Sequence, residues 1–234
     1  MSPDLRAVAS AHSNAADKAL SCRAVSLSSP TIHSLIPLSL LEAIRNLDTP
    51  LDDGLNELAG ETVSKRLGLS STVAQQIERY REAVEHSAAV PADEAISVFR
   101  LVGRRPDATL VYSDAGRRAA RYAARSAGIG TKVLLGVTPR PLRRRLGAKP
   151  AAPVARKLLG IQLDLLPGGH QVRLTESLAT AAGFPGTGCY FYSAVIAELL
   201  RVATGFEGAM VHERCHSRGD DHCFWRAAEA GGYE

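Results

Sequence analysis

The sequence is poor in aromatic residues and in lysine. Phe, Trp and Tyr make up 5% of its 234 residues, so we expect a core of leucine, valine and alanine in which helices pack closely through small side chains. Only five of the 28 basic residues are lysine, and the formal net charge is +4. The resulting arginine bias is typical of a GC-rich coding sequence, and it also suits the recognition of carboxylates or phosphates.

Targeting segments and long apolar runs are also missing. The start of the chain has no basic region followed by an apolar one, so we expect no signal peptide. The most apolar stretch, residues 35–44, is interrupted by Pro37 and Glu42 and is too short to span a bilayer. These features predict a cytoplasmic protein and leave peripheral contact with a membrane open. In a reducing compartment, four cysteines indicate metal ligands or free thiols before disulfides.

The first half of the chain has the patterns of helices. Residues 1–30 are rich in Ala and Ser and are predicted to be a flexible leader. Residues 31–234 are predicted to form a single ligand-binding domain with its core at about 100–230. Pro37 is expected at the first position of the first helix, and Ser113 is expected to cap a later, alanine-rich one. Apolar spacing predicts these helices over residues 37–47, 51–67, 71–87, 93–102 and 114–126, and a helical hairpin over 138–160.

The second half changes to strand patterns. Residues 163–166 and 171–175 flank a Pro-Gly-Gly turn, which predicts a β-hairpin. A helix is predicted over Cys189–Thr204, with Gly205 as its end, and two strands over 209–213 and 223–227. The predicted fold class is therefore α+β, with N-terminal helices followed by an antiparallel sheet that one helix interrupts.

Three of the four cysteines fall near the C-terminus, spaced as Cys189-x22-His212-x2-Cys215-x7-Cys223. His212 and Cys215 are close enough to chelate one ion if the backbone turns between them. Gly219 gives the loop before Cys223 a residue for a positive φ, and Cys189 opens a helix whose dipole favours a thiolate. Three thiolates and one imidazole form a closed tetrahedral set, so the spacing predicts a structural zinc ion.

Three alternatives to this set stay open. In the first, Cys189 is an ordinary buried thiol. In the second, Cys215 and Cys223 form a disulfide across the hairpin. In the third, another residue replaces His212, the candidates being His216, His222 and Glu213. The fourth cysteine, Cys22, is predicted to be an ordinary thiol in the leader.

The same residues carry a resemblance to a known domain. Residues 210–225, with their Cys-x7-Cys, Gly219-Asp220 and Phe224-Trp225, resemble the end of the 4-vinyl reductase domain, and the run Cys-Tyr-Phe-Tyr from Cys189 resembles its upstream segment. This domain also forms the phenol-sensing part of some transcription activators, where a Cys/Glu/Cys/Cys set binds zinc; here a histidine stands at the glutamate position. The resemblance implies an α+β fold like that of TRAPP vesicle-tethering subunits, with a zinc-stapled C-terminal hairpin and frequent homodimers.

From about residue 36 onward the chain is also similar to the BchJ family of bacteriochlorophyll biosynthesis. The similarity lies in Asp-Ala-Gly-Arg-Arg from Asp114, in the alanine-rich helix and in Pro-Leu-Arg-Arg-Arg from Pro141. The family's Gly-Pro-Asn near the first helix is here Ile-Pro-Leu, so the start of that helix is altered. The family is named as a bacteriochlorophyllide 4-vinyl reductase, and its members look like carriers of magnesium-porphyrin intermediates. The resemblance implies a magnesium-tetrapyrrole ligand, a role in photosynthesis, and magnesium chelatase or the following methyltransferase as partners.

The residues themselves favour a carrier over an enzyme. A nicotinamide site usually shows Gly-x-Gly-x-x-Gly after a strand, and the glycine pairs at 128–130 and 186–188 lack the third glycine. A tetrapyrrole carrier needs an apolar slot with polar groups at its edge. We expect the slot between the helix at 114–126 and the hairpin at 141–159, where Arg117, Arg118 and Arg121 would bind propionates.

Other interpretations remain. The general rule for charge runs favours a solvated helix face for the three arginines, and nothing selects a magnesium ligand among the candidates His33, His86 and His170. A stand-alone sensor of small aromatic ligands, a true vinyl reductase and a scaffold subunit are the alternative functions. We expect no nucleic-acid partner, because a Walker A sequence is missing and an ATPase domain plus a helix-turn-helix do not fit in 234 residues.

Overall fold

The computed structural model describes residues 31–49, 67–126, 148–161, 163–166 and 169–229. The predicted leader, almost all of the predicted helix at 51–67 and residues 138–147 of the predicted helical hairpin lie outside these residues. In chain order the elements are β1 (Thr31–His33), α1 (Leu35–Asp48), a 3₁₀ turn (Leu67–Leu69), α2 (Ser71–Glu85), β2 (Ala89–Pro91), α3 (Ala92–Gly103), α4 (Ala108–Ser126), α5 (Ala148–Val154), a π-helical turn (Ala155–Leu159), β3 (Leu163–Leu166), β4 (Gly169–Leu174), α6 (Leu178–Ala181), α7 (Cys189–Thr204), β5 (Gly208–Arg214), a 3₁₀ turn (His216–Arg218) and β6 (Cys223–Glu229).

The α+β class is confirmed. The four C-terminal strands form an antiparallel sheet in the order β3-β4-β6-β5, and β1 pairs with β2 in a separate two-stranded sheet. Strands β3 and β4 pair antiparallel, as predicted for this hairpin, with Leu166 opposite Gly169; the two residues between the strands lie outside the described residues. Helix α7 interrupts the sheet between β4 and β5 and ends, as expected, at Gly205, which has a φ of +72°. Among the described helices, none has both the length and the apolar character that crossing a membrane requires.

Helices α4 and α7 approach closely through small residues, as the low aromatic content predicts. A Cβ at Gly116 would lie 2.4 Å from the carbonyl oxygen of Phe191, so only glycine fits at this crossing. Around it α4 buries an alanine-rich face: Ala115, Ala119, Ala120 and Ala123 are each fully buried. The exposed side of α4 therefore carries the arginines, and α7 is held at a fixed distance from them.

Two predicted boundaries are wrong. Helix α4 begins at Ala108 rather than near Asp114, so Ser113 is not a cap; its hydroxyl donates to the Thr109 carbonyl one turn earlier, at 2.7 Å. Helix α1 begins at Leu35, which places Pro37 at its third position, where the missing N–H has no helical partner in any case.

Candidate metal centre and adjoining groove

The first turn of α7 places one thiol at the centre of the C-terminal half. Cys189 is the first residue of this helix and is 1% exposed. The chain reaches it through a tight turn in which the Cys189 N–H donates to the Gly186 carbonyl at 3.1 Å. Gly188 is needed there, because a Cβ would lie 2.7 Å from both Ala179 and Phe99. The Cys189 sulfur therefore lies at the positive end of a sixteen-residue helix, which favours a thiolate.

A β-bulge in β5 places the next two ligand candidates on one face. His212 is opposite Trp225 and Arg214 is opposite Phe224, which leaves Glu213 as the extra residue. Successive side chains of a regular strand point to opposite faces, so His212 and Cys215 would be separated by the sheet. The extra residue reverses the alternation. Cys215 is therefore buried on the side of His212, while the two residues between them are exposed.

The loop after Cys215 returns the chain to the same point. The Asp220 carboxylate accepts the Cys215 N–H at 2.7 Å, and Gly219 has a φ of +89°, as its position in the sequence predicted. The Ser217 hydroxyl donates to the Cys215 sulfur at 3.0 Å. Strand β6 then begins at Cys223, which is fully buried. The loop is thus fixed by its own hydrogen bonds around the sulfur of Cys215.

The three sulfurs have the spacing of a tetrahedral zinc site. Cys189 Sγ lies 3.8 Å from the sulfurs of Cys215 and Cys223, and the latter two are 3.9 Å apart. A Zn–S bond of about 2.3 Å puts the sulfurs of a regular tetrahedron about 3.8 Å apart. The ligand atom of His212 completes the cluster, with all four atoms within 4.8 Å of one another. A nitrogen ligand would lie about 3.6 Å from each sulfur, so the imidazole is the most loosely placed member.

Hydrogen bonding among the thiols favours a charged sulfur. The hydrogen bond from the Cys189 thiol, ahead of one from His212, lowers the pKa of Cys223 to about 4, although burial opposes this. The same hydrogen bond, together with burial, raises the pKa of Cys189. Among the described residues, the buried Nε2 of His212 meets no partner at hydrogen-bonding geometry, so its contact with Cys223 is loose. A metal ion would satisfy this nitrogen and take up the thiolate charge.

The alternatives for the ligand set are answered by the contacts of the neighbouring residues. The separation of 3.9 Å between Cys215 and Cys223 is far beyond a disulfide bond of about 2.05 Å. Glu213 accepts from Arg226 at 2.6 Å on the exposed face of the sheet. The Nε2 of His216 lies 3.1 Å from the Thr175 carbonyl oxygen, and the Nδ1 of His222 pairs with Asp221. Neither histidine belongs to the group of four described residues whose ligand atoms lie within 4.8 Å of one another. Cys22 lies outside the described residues.

The imidazole of His212, the fourth ligand candidate, stacks on Trp225, the only tryptophan in the sequence. The rings of His212 and Trp225 are stacked, with centroids 4.4 Å apart and planes inclined by 7°. The indole Nε1 donates to the Ser193 hydroxyl of α7 at 2.8 Å, and Trp225 is fully buried. Helix α7, β5 and β6 therefore meet at this point, and an ion bound to the four residues would tie these elements together.

An open groove runs along α7 from the metal centre. One cleft, of about 430 Å³, is lined by three of the four ligand candidates and by Arg218. A second cleft, of about 390 Å³, lies between α4, α7 and the start of β5. The two share three lining residues, Tyr190, Ser193 and Met210. The two clefts adjoin at these residues and are together called the α7–β5 groove below; the sequence did not predict it.

The three arginines predicted to bind propionates have different surroundings. Arg117 lines the α7–β5 groove. The Nε of Arg118 donates to Asp114 at 2.8 Å, and the Nε of Arg121 donates to Glu198 at 2.7 Å; neither residue lines the groove. Of the hairpin part of the predicted slot, residues 141–147 lie outside the described residues, and residues 148–159 form α5 and the π-helical turn. Arg201, which the sequence interpretation did not select, does line the groove.

The candidate magnesium ligands lie away from this groove. His33 is half-buried, and its Nδ1 accepts the Leu35 N–H at 3.1 Å. His86 is exposed at the end of α2, with its Nδ1 2.8 Å from the Glu82 carbonyl oxygen. His170 belongs to β4. None of the three lines either of the two clefts that form the groove.

Comparisons of the chain with models of protein families, with curated proteins and with solved structures found no match. The class of protein is therefore defined by its own fold and site: an α+β chain in which a Cys₃His cluster, able to hold a metal ion, borders an open groove.

Proposed function

We propose that the protein is a zinc-stapled binding protein of the 4-vinyl reductase-domain type, which carries a magnesium-tetrapyrrole intermediate of bacteriochlorophyll biosynthesis in the α7–β5 groove. The observation that carries the proposal is the metal centre itself. Its three sulfur–sulfur distances of 3.8, 3.8 and 3.9 Å suit a closed four-ligand zinc site. A closed site offers substrate no free coordination position, so zinc here stabilises the walls of a binding groove and performs no chemistry.

The groove has the character of a site for a flat, amphipathic molecule. Each of its two clefts falls within the range of about 300–1,000 Å³ that is common for small-molecule sites. At their junction Tyr190 leaves 52% of its surface exposed beside Met210. An exposed aromatic ring can stack on a planar ligand, and a thioether adapts to its shape. Arginines at both ends of the groove suit a ligand that carries acidic groups.

An optical titration tests this function. The zinc-loaded protein is titrated with magnesium-protoporphyrin and with a divinyl chlorophyllide, with and without NADPH, while the Soret band and the vinyl content are followed. A carrier shifts the Soret band and leaves the vinyl group intact. Reduction of the vinyl group with NADPH would establish a true vinyl reductase instead. An unchanged spectrum would contradict tetrapyrrole binding.

A groove-filling variant shows whether the ligand lies where we place it. Ala197 lines the α7–β5 groove, so Ala197→Trp is expected to abolish the Soret shift. Ala124→Trp is the matched control, because Ala124 is also half-buried but lies on α4 outside the groove lining. Equal binding by both variants would move the ligand to another surface.

A stand-alone sensor of small aromatic ligands is the second candidate. It is favoured by the cleft at the metal end, whose lining combines Tyr190 with Met210 in about 430 Å³ and would suit a single ring. Calorimetric titration with phenol distinguishes the two, since phenol binding without a response to magnesium-protoporphyrin supports the sensor. Partnership with magnesium chelatase or the following methyltransferase, and a homodimer, are further proposals that co-purification and ultracentrifugation would test.

A further inference from the structure

The two ends of the α7–β5 groove differ in their charged side chains and in how firmly those side chains are held. The end next to the metal centre has Arg218, whose side chain donates to the His212 carbonyl at 3.3 Å and lies 3.9 Å from the Asp220 carboxylate. The far end has two arginines from different helices, Arg117 of α4 and Arg201 of α7. Any selective recognition of acidic groups therefore depends on how these far-end arginines are held.

Arg117 is available to a ligand in a way that its neighbours are not. It is exposed and makes no hydrogen bond or ion pair with any residue in the described ranges. Arg118, next to it, is held by Asp114, and Arg121, one turn later, is held by Glu198. Of the three arginines on this helix that were considered, only Arg117 combines an uncommitted guanidinium with a position in the groove.

Arg201 is fixed in place but keeps free donors. Its Nε and one terminal nitrogen donate to the Glu198 carboxylate at 2.8 and 2.7 Å. A guanidinium has five N–H donors in a rigid plane, so this contact holds the side chain and leaves the other terminal nitrogen without a partner among the described residues. Glu198 is thus a positioning residue for Arg201.

The charge at this end of the groove is positive. Glu198 and Glu207 both line it, but Glu198 accepts from two arginines, Arg121 and Arg201. Arg117 and Arg201 balance the two glutamates in the lining, and Arg121, which pairs with Glu198 from outside the lining, adds one positive charge in excess. A bound anion would balance this excess and take up the unused donors.

The groove floor between its ends is suited to a flat ring system. Tyr190 and Met210 lie at the junction of the two clefts, and Ala194 and Ala197 continue the floor on α7 toward the arginines. A planar molecule resting on this floor would reach the far end with its edge. The ligand's acidic groups and its ring would then be recognised by separate parts of the same groove.

We propose that the α7–β5 groove selects planar aromatic carboxylates, with Arg117 and Arg201 binding the carboxylate at the end far from the metal centre and Tyr190 supporting the ring. This inference rests on the proposed function, and it names what the groove recognises in its ligand. It replaces the set Arg117, Arg118 and Arg121 expected from the sequence by one member of that set and a residue from another helix.

The test uses a probe that is not a tetrapyrrole. Pyrenebutyrate carries a planar ring and one carboxylate, and pyrenebutanol is its neutral counterpart; binding of each to the zinc-loaded protein is followed by pyrene fluorescence. We expect the carboxylate to bind about tenfold more tightly than the alcohol, as one partly desolvated charged hydrogen-bond pair would give. Arg117→Gln should remove this preference. Arg118→Gln, the matched control from the adjacent position, should retain it.

The outcomes separate this inference from the proposed function. Equal binding of pyrenebutyrate and pyrenebutanol, an unchanged preference in Arg117→Gln, or no binding of either probe would each overturn carboxylate selection, whatever magnesium-protoporphyrin does. A carboxylate preference that depends on Arg117, together with no Soret response to tetrapyrroles, would keep the inference and remove the proposed carrier function. Laurate competing as well as pyrenebutyrate would contradict the requirement for a planar ring.

Discussion

Replacing Cys223 by serine should remove the metal ion and much of the stability of the C-terminal half. The sulfur is fully buried and lies 3.8 and 3.9 Å from the other two. A serine oxygen is smaller than sulfur and is a poor zinc ligand in place of a thiolate, so three ligands would remain around a gap. The variant should therefore bind less than one equivalent of zinc under conditions in which the wild-type chain is saturated.

The size of the effect follows from linkage. A metal ion present at 1,000 times its dissociation constant stabilises the folded state by about 4 kcal/mol. For a chain of this length each 1 kcal/mol shifts Tm by about 2–4 °C, so losing the metal should lower Tm by roughly 8–16 °C. Metal-free protein would also keep the buried Nε2 of His212 without a partner, which costs about 1–3 kcal/mol.

The assay combines metal analysis with differential scanning calorimetry. Cys22→Ser is the matched control, since it makes the same chemical change at the cysteine that the sequence predicts to be an ordinary thiol. We expect the control to keep full zinc content and an unchanged Tm. Full zinc content and an unchanged Tm in Cys223→Ser would refute the assignment of this sulfur to the metal centre.

Three further predictions concern stability and a spectroscopic signal. Hydrogen bonds from Arg201 and then Arg121, against the cost of burial, lower the pKa of Glu198 to about 2. Because the folded-state pKa is below its unfolded value, the stabilisation is complete above about pH 4.5 and is lost toward pH 2. Glu198→Gln should therefore lower the free energy of unfolding by about 2 kcal/mol at pH 7, a value discounted for the exposed arginines. Urea unfolding should show the difference between the wild-type chain and the variant shrinking as the pH falls from about 4.5 to about 2. Gly116→Ala should destabilise by about 1–3 kcal/mol in the same measurement, because its Cβ would lie 2.4 Å from a backbone oxygen, and a neutral result would contradict the close helix crossing. Removing zinc with a chelator should change the emission of Trp225, the only tryptophan, because its indole stacks on His212; an unchanged spectrum would argue against a metal ion at that imidazole.

Local patterns in the sequence predicted much of this fold. The bounds of α7 match residue for residue, because Cys189 follows a glycine-rich turn and Gly205 supplies the left-handed conformation that ends a helix. The predicted strands over 209–213 and 223–227 are each extended by one or two residues in the structure. The predicted start of α4 failed because Ser113 resembles a cap in sequence, whereas Val111 and Tyr112 continue the buried face of the helix one turn further back.

The sequence predicted which four residues form the metal cluster, but it did not predict the backbone geometry that brings them together. The spacing of His212 and Cys215 required a change in backbone direction, and the bulge at Glu213 that supplies it has no recognisable sequence signal. The α7–β5 groove was missed for a different reason. Arg117 and Arg201 are far apart in the chain and are brought to one surface by the packing of α4 on α7, which depends on tertiary contacts that periodicity does not encode.

Zinc K-edge X-ray absorption on the purified protein tests the central claim most directly. The account predicts one zinc per chain with three sulfur neighbours at about 2.3 Å and one nitrogen neighbour at about 2.0–2.1 Å, unchanged when ligand is added. His212→Ala should convert the nitrogen neighbour to a water oxygen or lower the zinc content. A six-coordinate shell of oxygen and nitrogen, or fewer than three sulfurs in the wild-type chain, would contradict the Cys₃His centre on which the proposed function depends.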